Sequence, residues 1–163
     1  MSATSTARKV YTLRRYACAT LDKRPAPVFP VAAAPADVPA DRAGWWTLLR
    51  EDFETHERLL SAPGFHAITM YRFGEARERF PRFLRPPAAV LYRLLHIFVR
   101  NVYGIELHRS SVVGRRFKFA HQYVIVISPF STIGDDSVIR QGVTLGGGGA
   151  SWELAPTVGR DVQ

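Results

Sequence analysis

With 163 residues, 47% of them hydrophobic and 12% aromatic, the chain can bury one substantial core and is not disordered throughout. A single cysteine, Cys18, excludes an internal disulfide and a CxxC-type redox or metal site, and the five histidines show no HExxH spacing, so no metal site is expected. The formal charge of +8 comes mostly from dispersed arginines mixed with acids; it reads as solvated surface, with some attraction for phosphorylated ligands or anionic surfaces, and not as a nucleic-acid footprint.

Residues 1–43 are predicted to be a disordered Pro/Ala-rich tail. Prolines recur every few positions between Pro25 and Pro39, removing amide donors and fixing φ. Basic residues near the N-terminus precede no apolar run long enough for a signal peptide.

Residues 44–104 are predicted to form an α-helical subdomain. Trp45, Leu48, Leu49, Phe53 and His56 recur at three- and four-residue steps, which places them on one helix face. Pro63 and Gly64 end that helix. A second begins at Phe65 and fades near Pro81, and Pro86-Pro87 opens a third. In the third helix Val90, Leu91, Leu94, Leu95, Phe98 and Val102 form an apolar stripe, while Arg93, His96 and Arg100 mark a wet face. That interruption excludes a membrane span, and a cytoplasmic location is the expectation.

Residues 105–163 change period. Leu107, Val113, Phe119 and Ile125 recur every six positions, and Ile127, Ile133, Ile139 and Leu145 repeat the step in a register shifted by two. A six-residue period suits a prism-shaped solenoid whose aliphatic residues point inward. Gly114, Gly134 and Gly159 each follow an aliphatic residue, where glycine is expected to tolerate the corner's backbone conformation.

The segments Pro63-Gly-Phe-His-Ala67, Gly104-Ile-Glu-Leu-His108, Val113-Gly-Arg-Arg116, Ile133-Gly-Asp-Asp136 and Gln141-Gly-Val-Thr-Leu-Gly-Gly147 resemble, in order and spacing, the serine O-acetyltransferase family. The resemblance implies an α+β fold, with the N-terminal helices followed by a left-handed parallel β-helix. It also implies acetyl-CoA as co-substrate, a small hydroxyl-bearing acceptor, and self-association as a trimer through the β-helix sides, with the helices joining trimers into hexamers. By the same resemblance His121 is the general base, Glu106 the carboxylate that orients it, and His108 structural support. The run Leu145-Gly-Gly-Gly-Gly-Ala150 interrupts the hexapeptide count and is expected to begin an extruded loop. Gly146, Gly147 and Gly148 correspond to family glycines that border the pantetheine arm of the co-substrate.

Three departures concern the acceptor. Ala120 stands where the family has an Asp before the base, Leu154-Ala155 where it has Arg-His, and the 51–56 segment has no Arg-Asp-Pro. Those family residues hold the charges of serine, and a buried unpaired charge is costly. By the family resemblance the leading reading is transfer to L-serine, giving O-acetylserine for cysteine biosynthesis; the departures look like the branch associated with exopolysaccharide synthesis, and a sugar hydroxyl as acceptor is the second reading. A further departure is length: the next coil begins at Val158 and is not completed, so the β-helix is predicted to be incomplete at its C-terminus. A non-catalytic oligomerisation module is the third reading.

Overall fold

A computed structural model describes residues 43–146 and 155–163. The expected tail therefore lies outside the described residues except for Ala43, as do residues 147–154, where the extruded loop is expected.

Three helices come first: α1 (Trp45–Thr55), α2 (Pro63–Ala76), continued by a 3-10 turn at Arg77–Arg79, and α3 (Arg85–Tyr103). Prolines stand in the first turns of α2 and α3, where the missing N–H would have had no intrahelical partner. Gly104 ends α3 in the left-handed conformation at φ 63°, its N–H donating to the Arg100 carbonyl at 3.1 Å. A side chain there would also press on the backbone of Tyr123, whose Cα lies 3.1 Å from an added Cβ.

Among the described residues eight short strands follow: β1 (Ile105–Leu107), β2 (Val112–Val113), β3 (Lys118–Phe119), β4 (Ile125–Ile127), β5 (Thr132–Ile133), β6 (Val138–Ile139), β7 (Thr144–Leu145) and β8 (Thr157–Val158). They stack as three parallel faces, β1-β4-β7, β2-β5-β8 and β3-β6. This is the prism expected from the six-residue period. Leu107, Val113, Phe119, Ile127, Ile133 and Ile139 are all buried inside it. Leu107 aligns with Ile127, and Ile127 with Leu145. The segment from Phe119 to Ile127 holds two residues more than the one from Ile139 to Leu145 above it. This surplus is the register shift read in the sequence.

Two expectations change. Gly114, Gly134 and Gly159 do not have positive φ; the left-handed corners fall at Arg116, Asp136 and Asp161 instead. Two of these glycines serve close approach between coils. A Cβ on Gly114 would lie 2.6 Å from the Asp135 nitrogen, and one on Gly134 would lie 2.6 Å from the Gly159 oxygen. The second change concerns α3. Its apolar stripe faces outward, and the helix packs through Ala88, Tyr92, His96 and Val99. Amphipathicity identifies residues that share a face; small Ala88 and the ring of Tyr92 fit against α2, where the Tyr92 ring fills the space beside Gly74.

Gly134→Ala is expected to cost about 1–3 kcal/mol because the new methyl meets fixed backbone. Gly159→Ala, with nothing within 4 Å, should be close to neutral. Chemical denaturation of both variants checks the contrast.

Candidate active site

The surplus residues between β3 and β4 form a corner that departs from the prism. Its two ends are anchored: the Ala120 N–H donates to the Ile139 carbonyl at 3.0 Å and the Tyr123 N–H to the Tyr103 carbonyl at 2.9 Å. Between these anchors His121 is exposed and, among the described residues, makes no side-chain hydrogen bond or ion pair. Tyr123 and Val124 both take positive φ, at 80° and 53°. For a β-branched residue this conformation is a real outlier, and such strain concentrates at functional sites. The imidazole of His121 thus faces solvent.

Glu106 lies at the centre of β1, exposed between the inward Ile105 and Leu107. No hydrogen bond joins it to His121 among the described residues. Its charge instead acts on His96 and His108, favouring their protonated forms, but burial outweighs it and holds both rings below the usual imidazole value. His108 Nδ1 accepts from the Ser110 N–H at 3.2 Å and lies 2.6 Å from Ser110 Oγ. This leaves the ring proton of neutral His108 on Nε2. His96 stacks on Tyr92 at 5.9 Å, and its Nδ1 is buried without a partner.

Beneath this surface, the helices are fastened to the first coil by charged residues that the sequence pattern suggested were superficial. Arg72 is buried and donates to Asp52 at 3.0 Å and to the carbonyls of Val113 and Gly114. Burial pushes the Asp52 carboxyl up, and the Arg72 charge only partly offsets it. His56 bridges α1 and β3: its Nδ1 donates to the Asp52 carbonyl at 2.7 Å and its Nε2 accepts from the Phe119 N–H at 3.3 Å. That arrangement needs the neutral ring, and burial lowers the His56 pKa accordingly. Glu51 forms an ion pair with Arg115, and this hydrogen bond, ahead of opposing burial, lowers its pKa. The sequence signal for the clamp was present: Asp52 falls between Leu48 and His56 on the apolar side of α1.

Gly146 follows β7 and is exposed, with only Thr144 Cγ2 near an added Cβ at 3.7 Å. Its backbone is therefore open to close approach. Gly147 and Gly148 lie outside the described residues.

No protein-family model matches the chain. Serine acetyltransferase of Helicobacter pylori (strain ATCC 700392 / 26695) is 37% identical over 107 residues, covering 65% of this chain and 59% of that protein. WcaB of Escherichia coli (strain K12), which carries the name colanic acid biosynthesis acetyltransferase provisionally, is 38% identical over 77 residues, covering 47% of this chain and 46% of that protein. Among solved structures, soybean serine acetyltransferase apoenzyme superposes with a TM-score of 0.59 at 22% identity, covering 72% of this chain and 51% of the other. The chain thus spans about half the length of the relatives it matches. The resemblance to serine acetyltransferases is borne out in sequence by the Helicobacter relative and in fold by the soybean structure.

The His56 geometry sets a pH dependence. Its folded pKa is depressed, so the unfolded chain takes up the proton first. The associated stability is complete above about pH 6.5 and declines as the pH falls through that value towards the folded pKa. His56→Gln should lose this component, so the gap in melting temperature between the native chain and the variant narrows from pH 7.5 to pH 5.5. Thermal melts at the two pH values check it.

Proposed function

We propose that the chain carries the catalytic base of an acetyl-CoA-dependent O-acetyltransferase of the serine acetyltransferase type. The observation that carries this reading is His121: an exposed imidazole without a hydrogen-bond partner among the described residues, set on a strained corner of the first coil. Its position in the motif order shared with serine acetyltransferases supports the assignment.

An alcohol is a weak nucleophile at neutral pH. His121 accepts its proton as the oxygen attacks the thioester carbonyl, and then returns a proton to the departing thiolate. Glu106 is proposed as the carboxylate that orients the ring and stabilises the imidazolium; motif position supports that role. Gly146 offers an open backbone to the pantetheine arm, and Gly147 and Gly148 are assigned the same role. The coil is read as left-handed, with trimers formed through its flat sides and acetyl-CoA between neighbouring prisms. A cytoplasmic location accords with the supply of acetyl-CoA.

For the acceptor, L-serine is the reading from the family. A sugar hydroxyl is the second, favoured by Ala120, Leu154 and Ala155 in place of the family's charged residues and by the similarity to WcaB. A non-catalytic oligomerisation module is the outcome if no transfer occurs.

Thiol release from acetyl-CoA, with L-serine and then a sugar panel as acceptor, tests the reading. His121→Ala should lower turnover by about 10²–10⁴-fold while leaving the melting temperature nearly unchanged, because the side chain makes no hydrogen bond. Equal release by the native chain and the variant would remove His121 from the mechanism.

A further inference from the structure

The corner that bears His121 lies alongside one short segment of the next coil. Two backbone bonds bracket the pair: the Ala120 N–H donates to the Ile139 carbonyl at 3.0 Å, and the Gly142 N–H donates to the Tyr123 carbonyl at 3.3 Å. Between these bonds the lower coil runs through His121 and Gln122, and the upper through Arg140 and Gln141. Strands β3 and β6 pair Lys118 with Val138 and Phe119 with Ile139, so the next step in register sets Arg140 over Ala120. Paired residues of parallel strands share a face. Arg140 therefore stands on the side of the prism where Ala120 takes the place of the family's Asp.

Arg140 is exposed and, among the described residues, makes no side-chain hydrogen bond or salt bridge. Lys118, two positions before Ala120, is by contrast held by Glu57 at 2.8 Å. Neither coil segment supplies an acid, since residues 107–134 and 137–152 contain no Asp or Glu. Glu106 belongs to the face of β1, where it pairs in register with Val126, and its charge acts on His96 and His108. The corner beside the candidate base thus carries one positive charge that the coil does not neutralise.

We propose that Arg140 makes the acceptor site select an alcohol that bears an anionic group, a carboxylate or a phosphate, and no ammonium. This rests on the acetyl-transfer reading and deepens it. A guanidinium meets either anion with two parallel N–H donors. With Ala120 beneath it, a zwitterion such as L-serine finds a partner for its carboxylate and none for its ammonium, and an unpaired charge is costly to desolvate. The phosphates of CoA are a poorer match. They are separated from its sulfur by the whole pantetheine arm, whereas Arg140 flanks the residue that would act at the acyl end. Assembly through the flat sides leaves the argument standing, because the same reading lays acetyl-CoA between neighbouring prisms, in a groove that this corner borders.

Four small alcohols test it: glycerol, glycerate, glycerol phosphate and L-serine. In thiol release from acetyl-CoA, kcat/KM should be about tenfold or more higher with glycerate or glycerol phosphate than with the other two. The better anion identifies the group. Arg140→Gln should remove the preference and Arg140→Lys keep part of it, with KM for acetyl-CoA and the melting temperature unchanged in both. The NMR signals of the His121 ring report occupancy without turnover. They should shift when either anion is added to the native chain, and stay in place in Arg140→Gln. Such shifts with no thiol release from any alcohol would uphold the anion site and remove the acetyl-transfer reading. Equal kcat/KM for all four alcohols, a preference for L-serine, an anion preference that survives in Arg140→Gln, or ring signals indifferent to both anions overturns the proposal. So does a variant that changes only KM for acetyl-CoA, because the arginine would then serve the co-substrate.

Discussion

One buried guanidinium governs how the two halves of this fold meet. Arg72 leaves α2, takes the Asp52 carboxylate from α1, and spends its remaining donors on the carbonyls of Val113 and Gly114. Those carbonyls belong to the corner of the first coil, so a single side chain aligns two helices and a strand. Removing one member of such a buried pair typically costs about 3–5 kcal/mol, because the survivor keeps its charge and loses its partner. Tyr71, the neighbouring residue, reinforces the same corner by donating to the Ser111 carbonyl at 2.7 Å and accepting from the Val113 N–H at 3.3 Å. Both side chains come from adjacent positions on α2, which is why that helix is the most buried of the three.

A parallel solenoid inherits its register from the coil beneath, so the alignment of the first coil propagates. Each buried serine hydroxyl reaches the coil above: Ser111 donates to the Ser128 carbonyl at 3.1 Å, and Ser137 to the Gly159 carbonyl at 3.1 Å. Between β3 and β4 the chain inserts two additional residues into this regular stack. The insertion costs backbone strain at Tyr123 and Val124 and frees His121 from the inward-outward alternation that governs its neighbours. The candidate base therefore belongs to the part of the coil that breaks the repeat, beside the helix end that Gly104 closes.

How much of this was legible in the sequence depended on the kind of signal. The prism was readable because burial imposes a period of six on Leu107, Val113 and Phe119, and the shifted register of Ile127, Ile133 and Ile139 disclosed the insertion. The limits of α3 were readable from Pro86 and Gly104, whereas Pro63, read as ending the first helix, opens α2, and α1 stops earlier, at Thr55. The facing of α3 was not, because periodicity groups side chains without saying which group meets the core; here small Ala88 and the Tyr92 ring decided it. The roles of Gly114 and Gly134 were misread because a glycine's need for space and its need for positive φ leave the same letter. The Arg72–Asp52 pair was half legible: Asp52 falls on the apolar side of α1, but nothing in the sequence marks Arg72 as its partner, since charged residues look alike whether they face water or each other. His121 as a candidate rested on family resemblance, and its free, exposed setting is visible only in three dimensions.

The clamp at the first coil has a mechanical consequence. A coil in such a stack is held only by its neighbours, and the helices grip one end alone, through Arg72, His56 and the Glu51–Arg115 pair. Cohesion is therefore graded along the prism axis. Thermal fluctuation should peel the turns one at a time from the side distant from the helices, while the turn that bears His121 stays wound longest. The corner that bears His121 sits at the fixed end of a spring.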